Sequence, residues 1–159
     1  MLMCLQKRRR HNMYATLNVE FSANTPDIFL DIYLNDTLIT SNSFVKDTQQ
    51  YTIEFDDTEE YITQCITVTM RGKTQQHTIL DNDKIVSDVH AMIKRITIDE
   101  IDVTDLYAQG TACYHHVGSN NQHNGPVIID EFYGYLGFNG DVKLEFTTPM
   151  WKWFNTKCS

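Results

Sequence analysis

Along most of this chain apolar residues alternate with polar ones, the period of a half-buried β-strand. Leu17, Val19 and Phe21 alternate in the first such run, and Ile28, Leu30, Ile32 and Leu34 in the second. Tyr51, Ile53 and Phe55 form a third, Ile66, Val68 and Met70 a fourth, and Val142, Leu144 and Phe146 a late one. The stretch MIKRITIDEIDVTDL, residues 92–106, changes phase: Ile96 and Ile98 sit on even positions, Ile101 and Val103 on odd ones. A one-residue change in a period of two requires a bulge or tight turn near Asp99–Glu100 if both halves are to point inward.

Turn formers separate these runs. Ala23–Asp27 contains a proline that cannot continue a ladder, which predicts a hairpin or a corner where the chain changes sheet. Asn35-Asp36 ends the second strand, a polar loop precedes Tyr51, and Asp81-Asn82-Asp83 falls in a further loop. Gly137–Gly140 reads as a hairpin turn before Val142. Residues 115–125, HHVGSNNQHNG, form the longest irregular segment, and helical signals are confined to single turns near Asp105–Ala112 or Ile129–Tyr133. Alternation on nearly every strand leaves one face of each sheet wet, which excludes the buried parallel sheet of an α/β fold. The expected fold is all-β: an antiparallel β-sandwich of jelly-roll or lectin-like form, with about six to eight strands and little helix.

Length and charge narrow the class. The 159 residues fit one domain, residues 14–159, behind a basic N-terminal tail, residues 1–13, that carries Lys7, Arg8, Arg9, Arg10 and His11; Met13 is an alternative start. A net charge of −8 opposes binding of the folded body to nucleic acid or to anionic membranes. No apolar run approaches a membrane span and no signal-peptide core follows the basic residues, so a soluble protein made in a cytoplasm is expected. The four cysteines, Cys4, Cys65, Cys113 and Cys158, are widely scattered, which makes free thiols the default.

Several residues could carry chemistry. Cys113, His115, His116 and His123 are transition-metal donor types, but adjacent histidines reach one ion only in a loop. Asp56, Asp57, Asp81 and Asp83 offer hard oxygen ligands for calcium at turns between strands. Solvated acidic turns that protect a sheet edge are the competing explanation, and no cofactor other than calcium is suggested. Phe29 and Tyr33 lie out of phase with the core set of their strand, and Tyr133, Tyr135, Phe138, Trp151 and Trp153 crowd the last third. Aromatic rings of this kind stack on sugars or anchor protein interfaces. Phe29, Tyr33, Tyr135, Trp151 and Trp153 are therefore the candidate partner- or glycan-binding residues. The two tryptophans follow Pro149 in a further alternating run, which predicts one in the core and one facing a partner. No nucleophile elbow, zinc-protease motif or phosphate loop is present, and paired carboxylates such as Asp99 and Asp102 are the residue types that could flank a glycosidic bond. A non-enzymatic protein is expected.

Two resemblances extend this reading. The order IFLDIYLND, YTIEF, ITVTMRG, RITIDEIDV, within Asp27–Thr104, resembles the calcium-dependent xylan-binding modules, although Thr104-Asp105 stands where that family has a glycine. It implies a lectin-like sandwich, with calcium-assisted glycan binding as one function. From Tyr51 to Phe154 the chain is similar to small uncharacterised proteins encoded among the virion genes of tailed cyanobacterial phages. That likeness implies a virion structural or tail-associated protein, assembled in the host cytoplasm, contacting other virion proteins and forming homo-oligomers, with no catalytic residues to transfer.

Overall fold

The computed structural model describes residues 11–22, 25–44, 47–107, 112–116, 127–129 and 134–157. In chain order the strands are β1 (His11–Phe21), β2 (Thr25–Leu34), β3 (Thr37–Phe44), β4 (Thr48–Asp57), β5 (Ile62–Arg71), β6 (Ile79–Asp81), β7 (Lys84–Ser87), β8 (Ala91–Ile98), β9 (Ile101–Asp102), β10 (Ala112–His116), β11 (Val127–Ile129), β12 (Tyr135–Leu136) and β13 (Gly140–Thr148). Two short helices, α1 (Thr104–Leu106) and α2 (Met150–Lys157), and a 3-10 turn at Gln75–His77 complete the described elements. Eight of these strands are five residues or longer, in line with the expected number.

The strands form two antiparallel sheets and a separate hairpin. One sheet has the order β12-β8-β1-β4, with β9 paired to β8; the other has the order β11-β10-β13-β5-β2-β3. The hairpin β6-β7 stands apart from both. Alternation explains the core directly. Ala15, Leu17, Val19, Tyr51, Ile53, Phe55, Ile93 and Ile96 point inward from the first sheet, and Ile28, Leu30, Ile32, Ile66, Val68, Met70, Val142, Leu144 and Phe146 from the second. Phe55 meets Phe146 between the sheets at a ring separation of 4.8 Å. The fold is thus an antiparallel β-sandwich around one core.

Several local expectations change. β1 lies in one sheet and β2 in the other, so the chain changes sheet between these two strands and they form no hairpin. β1 begins at His11 and pairs with β4 through His11, Asn12 and Met13, three residues inside the segment read as a tail. The polar loop before Tyr51 contains strand β3, whose residues Thr37–Phe44 show little alternation because it is an outer strand of its sheet. Asn35-Asp36, Asn82-Asp83 and Asp99-Glu100 all have positive φ at both positions, the two-residue turn whose twist suits tight hairpins. Asp81–Asp83 therefore belongs to the β6-β7 hairpin. Residues 137–140 join β12 in one sheet to β13 in the other, a crossover where a hairpin was expected.

The phase change of residues 92–106 has two parts. Lys94 is an extra residue on β8 opposite β1, since Asn18 pairs with Arg95 and Val19 with Ile93; this bulge keeps both Ile93 and Ile96 in the core. The turn at Asp99-Glu100 then starts β9, but Ile101 is 51 % exposed while Val103 is buried. Only one of the two expected inward residues beyond the turn reaches the core.

At the C-terminus the alternation of Trp151 and Trp153 is coincidental, because the segment is helix α2. Trp153 is buried against Phe146 and Tyr107, at ring separations of 6.3 and 6.0 Å, whereas Trp151 is 61 % exposed. Met150 N–H donates to Asp57 Oδ1 at 2.9 Å, which holds the start of α2 to the end of β4.

Candidate functional site

A cleft that joins aromatic rings to a buried ion pair lies where β5 leaves its sheet. Gly72 has φ +92°, a conformation that L side chains rarely adopt, and a Cβ there would collide with the Asp27 carbonyl. The turn it permits sends Lys73 back toward the sandwich. Lys73 N–H donates to Asn139 Oδ1 at 2.8 Å and Asn139 Nδ2 donates to Lys73 O at 2.7 Å, so the asparagine amide clamps the backbone at both groups.

The Lys73 side chain is buried, which is rare for a lysine without a partner. Its ammonium lies 2.6 Å from Asp88 Oδ1 and donates to Gly137 O at 2.5 Å. Thr78 Oγ1 donates to the same Asp88 oxygen at 2.7 Å. Burial pushes the Asp88 carboxyl up, but the hydrogen bonds from Lys73 and Thr78 and the lysine charge outweigh it and hold the group below the usual carboxylate range. Ser22 Oγ donates to the Asp88 carbonyl and accepts from His90 N–H, fixing the chain on either side of Val89.

Above this pair are two aromatic rings. Tyr135 is 44 % exposed and Phe138 47 % exposed. The Tyr135 ring lies over Gly137, where a Cβ would overlap it, and it also neighbours the His90 ring at 4.9 Å. Phe138 has the Lys73 ammonium 5.7 Å from its centroid. On the opposite side the β6-β7 hairpin contributes Leu80 and Ile85, which pair across it and are both exposed. Together with Thr74, Gln75 and Thr78 these residues line a cleft of about 420 Å³. A second hollow of about 480 Å³, walled by Lys73, Thr74, Gln75, Gln76 and Asn139, continues from it. Aromatic and aliphatic faces thus surround a floor carrying one ammonium, one carboxylate and several amide and hydroxyl groups.

Of the aromatic residues expected from the sequence to bind a partner or glycan, Tyr135 is in this cleft and the others lie elsewhere. Phe29 is half-buried on the outer face of β2 beneath the Arg71 guanidinium, 4.3 Å from its centroid, and Tyr33 is half-buried on the same face. Arg71 also pairs with the buried Asp31 at 2.6 Å. Trp151 projects from α2, with the Lys152 ammonium 5.3 Å from its ring. Trp153 belongs to the core and offers no partner surface.

The calcium candidates do not assemble. Asp56 and Asp57 are successive residues of β4 and point to opposite sides, and Asp57 is committed to the Met150 amide. Asp81 accepts from the Asn82 side chain, and Asp83 occupies a positive-φ turn position. Among the described residues no group of three or more His, Cys, Asp or Glu side chains is placed to hold a metal ion. Cys113, His115 and His116 fall on strand β10, paired with β13, so the backbone there is extended and not the loop that two adjacent histidine ligands require; His123 lies outside the described residues. Asp99 donates its backbone N–H to Tyr14 O at a turn, and Asp102 binds Thr104 and Arg95. Those hydrogen bonds, from Thr104 first, hold the Asp102 carboxyl low and tie it to the β9–α1 turn.

Lys73, Thr78, Leu80, Ile85 and Asp88 belong to the cleft without any motif to mark them in the sequence. Their one available signal is the pair of adjacent aliphatics on each side of the Asp81–Asp83 turn, Ile79-Leu80 and Ile85-Val86, which gives a short hairpin apolar residues on both faces.

These features define an antiparallel β-sandwich with an aromatic-walled, polar-floored cleft beside the turn that follows β5. No protein-family model and no curated protein sequence matches the chain. Among solved structures it is similar to the selenomethionine form of vCBM60, from work linking two families of calcium-dependent carbohydrate-binding modules by circular permutation; identity is 13 %, coverage 83 % of this chain and 89 % of that one, and the TM-score 0.48. It is also similar to vCBM60 in complex with galactobiose, at 13 % identity, 82 % and 96 % coverage and a TM-score of 0.45.

Proposed function

We propose that the protein is a non-catalytic glycan-binding module and that the cleft between the β6-β7 hairpin and the Tyr135–Phe138 segment is its binding surface. The observation that supports this reading is the exposure of Tyr135 and Phe138 beside the Lys73–Asp88 pair. Aromatic and aliphatic walls accept the C–H faces of sugar rings, and the floor offers donors and acceptors to their hydroxyls. Hydrolysis of a glycosidic bond ordinarily uses two carboxyl groups flanking it, whereas among the described residues the cleft is lined by a single carboxylate already engaged by Lys73 and Thr78. The test is a glycan array followed by calorimetric titration of its hits. Saturable binding by the wild type, lost in the Tyr135→Ala/Phe138→Ala double variant at unchanged melting temperature, supports the reading. A flat array with folded wild-type protein refutes it.

A second reading is a virion structural or tail-associated component acting through protein contacts; the exposure of Trp151 on α2 and of Ile79 and Val86 on the hairpin, all more than half exposed, supports its protein-contact part alone. Mass spectrometry of purified phage particles tests it, with a fixed copy number relative to the major capsid protein as the supporting result.

A further inference from the structure

We infer that the Lys73 ammonium is the fixed cation of the cleft: an uncharged saccharide binds with two adjacent hydroxyls laid across Lys73 Nζ and the Asp88 carboxylate, and no divalent metal is needed. This inference rests on the glycan-binding reading and says how the polar half of that recognition is performed.

Lys73 is held by oxygen atoms in the manner of a small cation, with Asp88 Oδ1 at 2.6 Å and Gly137 O at 2.5 Å. A lysine ammonium has three N–H donors, and these two acceptors account for two of them. The third is available to a hydroxyl in the cleft that Lys73 lines. The Asp88 carboxylate takes Lys73, Thr78 and the Val89 backbone N–H, fewer than its roughly four acceptor positions, so it can take the proton of a neighbouring hydroxyl. Oδ1 already takes Lys73 and Thr78, so the acceptor left for a ligand is Oδ2 of the same carboxylate, next to the oxygen that the ammonium touches, and donor and acceptor are close enough to serve two adjacent hydroxyls of one sugar ring. Each hydroxyl of such a pair can donate and accept, which makes a diol the natural complement.

Charge argues the same way. Among the described residues, Lys73 and Asp88 are the only charged ones lining the cleft and its continuation, and they cancel. A divalent ion approaching Asp88 would meet the ammonium already in place, and an anionic sugar would meet a neutral floor on a chain of net charge −8.

The experiment is calorimetric titration of the full chain with neutral disaccharides and with digalacturonate, each in excess EDTA and in excess calcium chloride. The expected result is binding of a neutral disaccharide that is unchanged within about twofold by chelation, with digalacturonate markedly weaker. Lys73→Met, which keeps the aliphatic stem, weakens binding by about tenfold or more, the loss of one charge-assisted hydrogen bond. Asp88→Asn, which keeps the shape, does the same, and Trp151→Ala has no effect. Binding that vanishes in EDTA and returns with calcium overturns the inference while leaving the glycan-binding reading intact, as does equal affinity for digalacturonate. If Lys73→Met does not fold, Asp88→Asn and the chelation arm on the wild type still decide. Absence of binding to any saccharide in either buffer refutes the underlying reading itself.

Discussion

The Asp57 carboxylate accepts the backbone N–H of Met150 at 2.9 Å, so a residue at the end of β4 caps a helix 93 positions further on. The first amides of a helix have no partner within it, and a carboxylate at that end also complements the helix dipole. Asp57→Ala is expected to cost about 1 kcal/mol, the typical loss of a helix cap, measured by urea denaturation. Because the role is capping, added calcium should leave the stability of both proteins unchanged. A calcium-dependent rise in wild-type stability that Asp57→Ala abolishes would return this residue to the candidate metal ligands.

The two tryptophans of α2 should behave oppositely. Trp153 is 4 % exposed and packs on Phe146 and Tyr107, so Trp153→Ala is expected to lose about 3–5 kcal/mol. Trp151→Ala should change stability by less than about 0.5 kcal/mol, as surface substitutions do. Chemical denaturation distinguishes them, and equal losses would contradict the packing described.

His90 makes stability depend on pH. Burial lowers its pKa, and Nδ1 has no hydrogen-bond partner, so the folded state favours the neutral ring. The contribution is therefore fully present above the ordinary histidine value of about 6.5 and is lost as pH falls from there toward the depressed folded value. His90→Phe keeps an aromatic ring beside Tyr135 and removes the titration. Its melting temperature should fall less than that of the wild type as pH is lowered through that window; identical slopes would mean that His90 does not titrate differently on folding. The depressed Asp88 carboxyl acts in a separate, more acidic window, where stability is lost as pH drops below about 4.

Gly137 sets the wall of the cleft. A methyl group there would overlap the Tyr135 ring, which must then rotate away. Under the glycan-binding proposal, Gly137→Ala should weaken binding by about tenfold, the scale of one displaced aromatic contact at about 1–1.5 kcal/mol, with a much smaller change in melting temperature. Unchanged affinity would show that the Tyr135 orientation is not used.

Much of the architecture is legible in local pattern. Alternation places Leu17, Val19, Ile28, Leu30, Ile32, Val142, Leu144 and Phe146 in the core, because a strand with one face on the core buries every second side chain. The three Asn/Asp-containing turns are equally local, since those side chains tolerate the left-handed backbone that a tight hairpin needs. Strand β3 leaves no such trace, because an outer strand with exposed Leu38 and Ile39 has no single buried face to impose the period. Helix α2 imitates a strand, because two tryptophans spaced by one residue fit alternation as well as a helix with one ring in and one ring out.

The candidate site is barely legible in the same way. Tyr135 stands out by its chemistry, but Lys73 and Asp88 are 15 positions apart, and Gly137 is another 49 beyond Asp88. Strand periodicity, tight turns and the all-β class follow from the amino-acid order alone, because each depends on residues within a few positions of one another. The burial of a lysine against an aspartate beneath two aromatic rings does not. That pairing arises from how the turn after β5, the β6-β7 hairpin and the β12–β13 crossover meet in space, a long-range arrangement that no local pattern encodes.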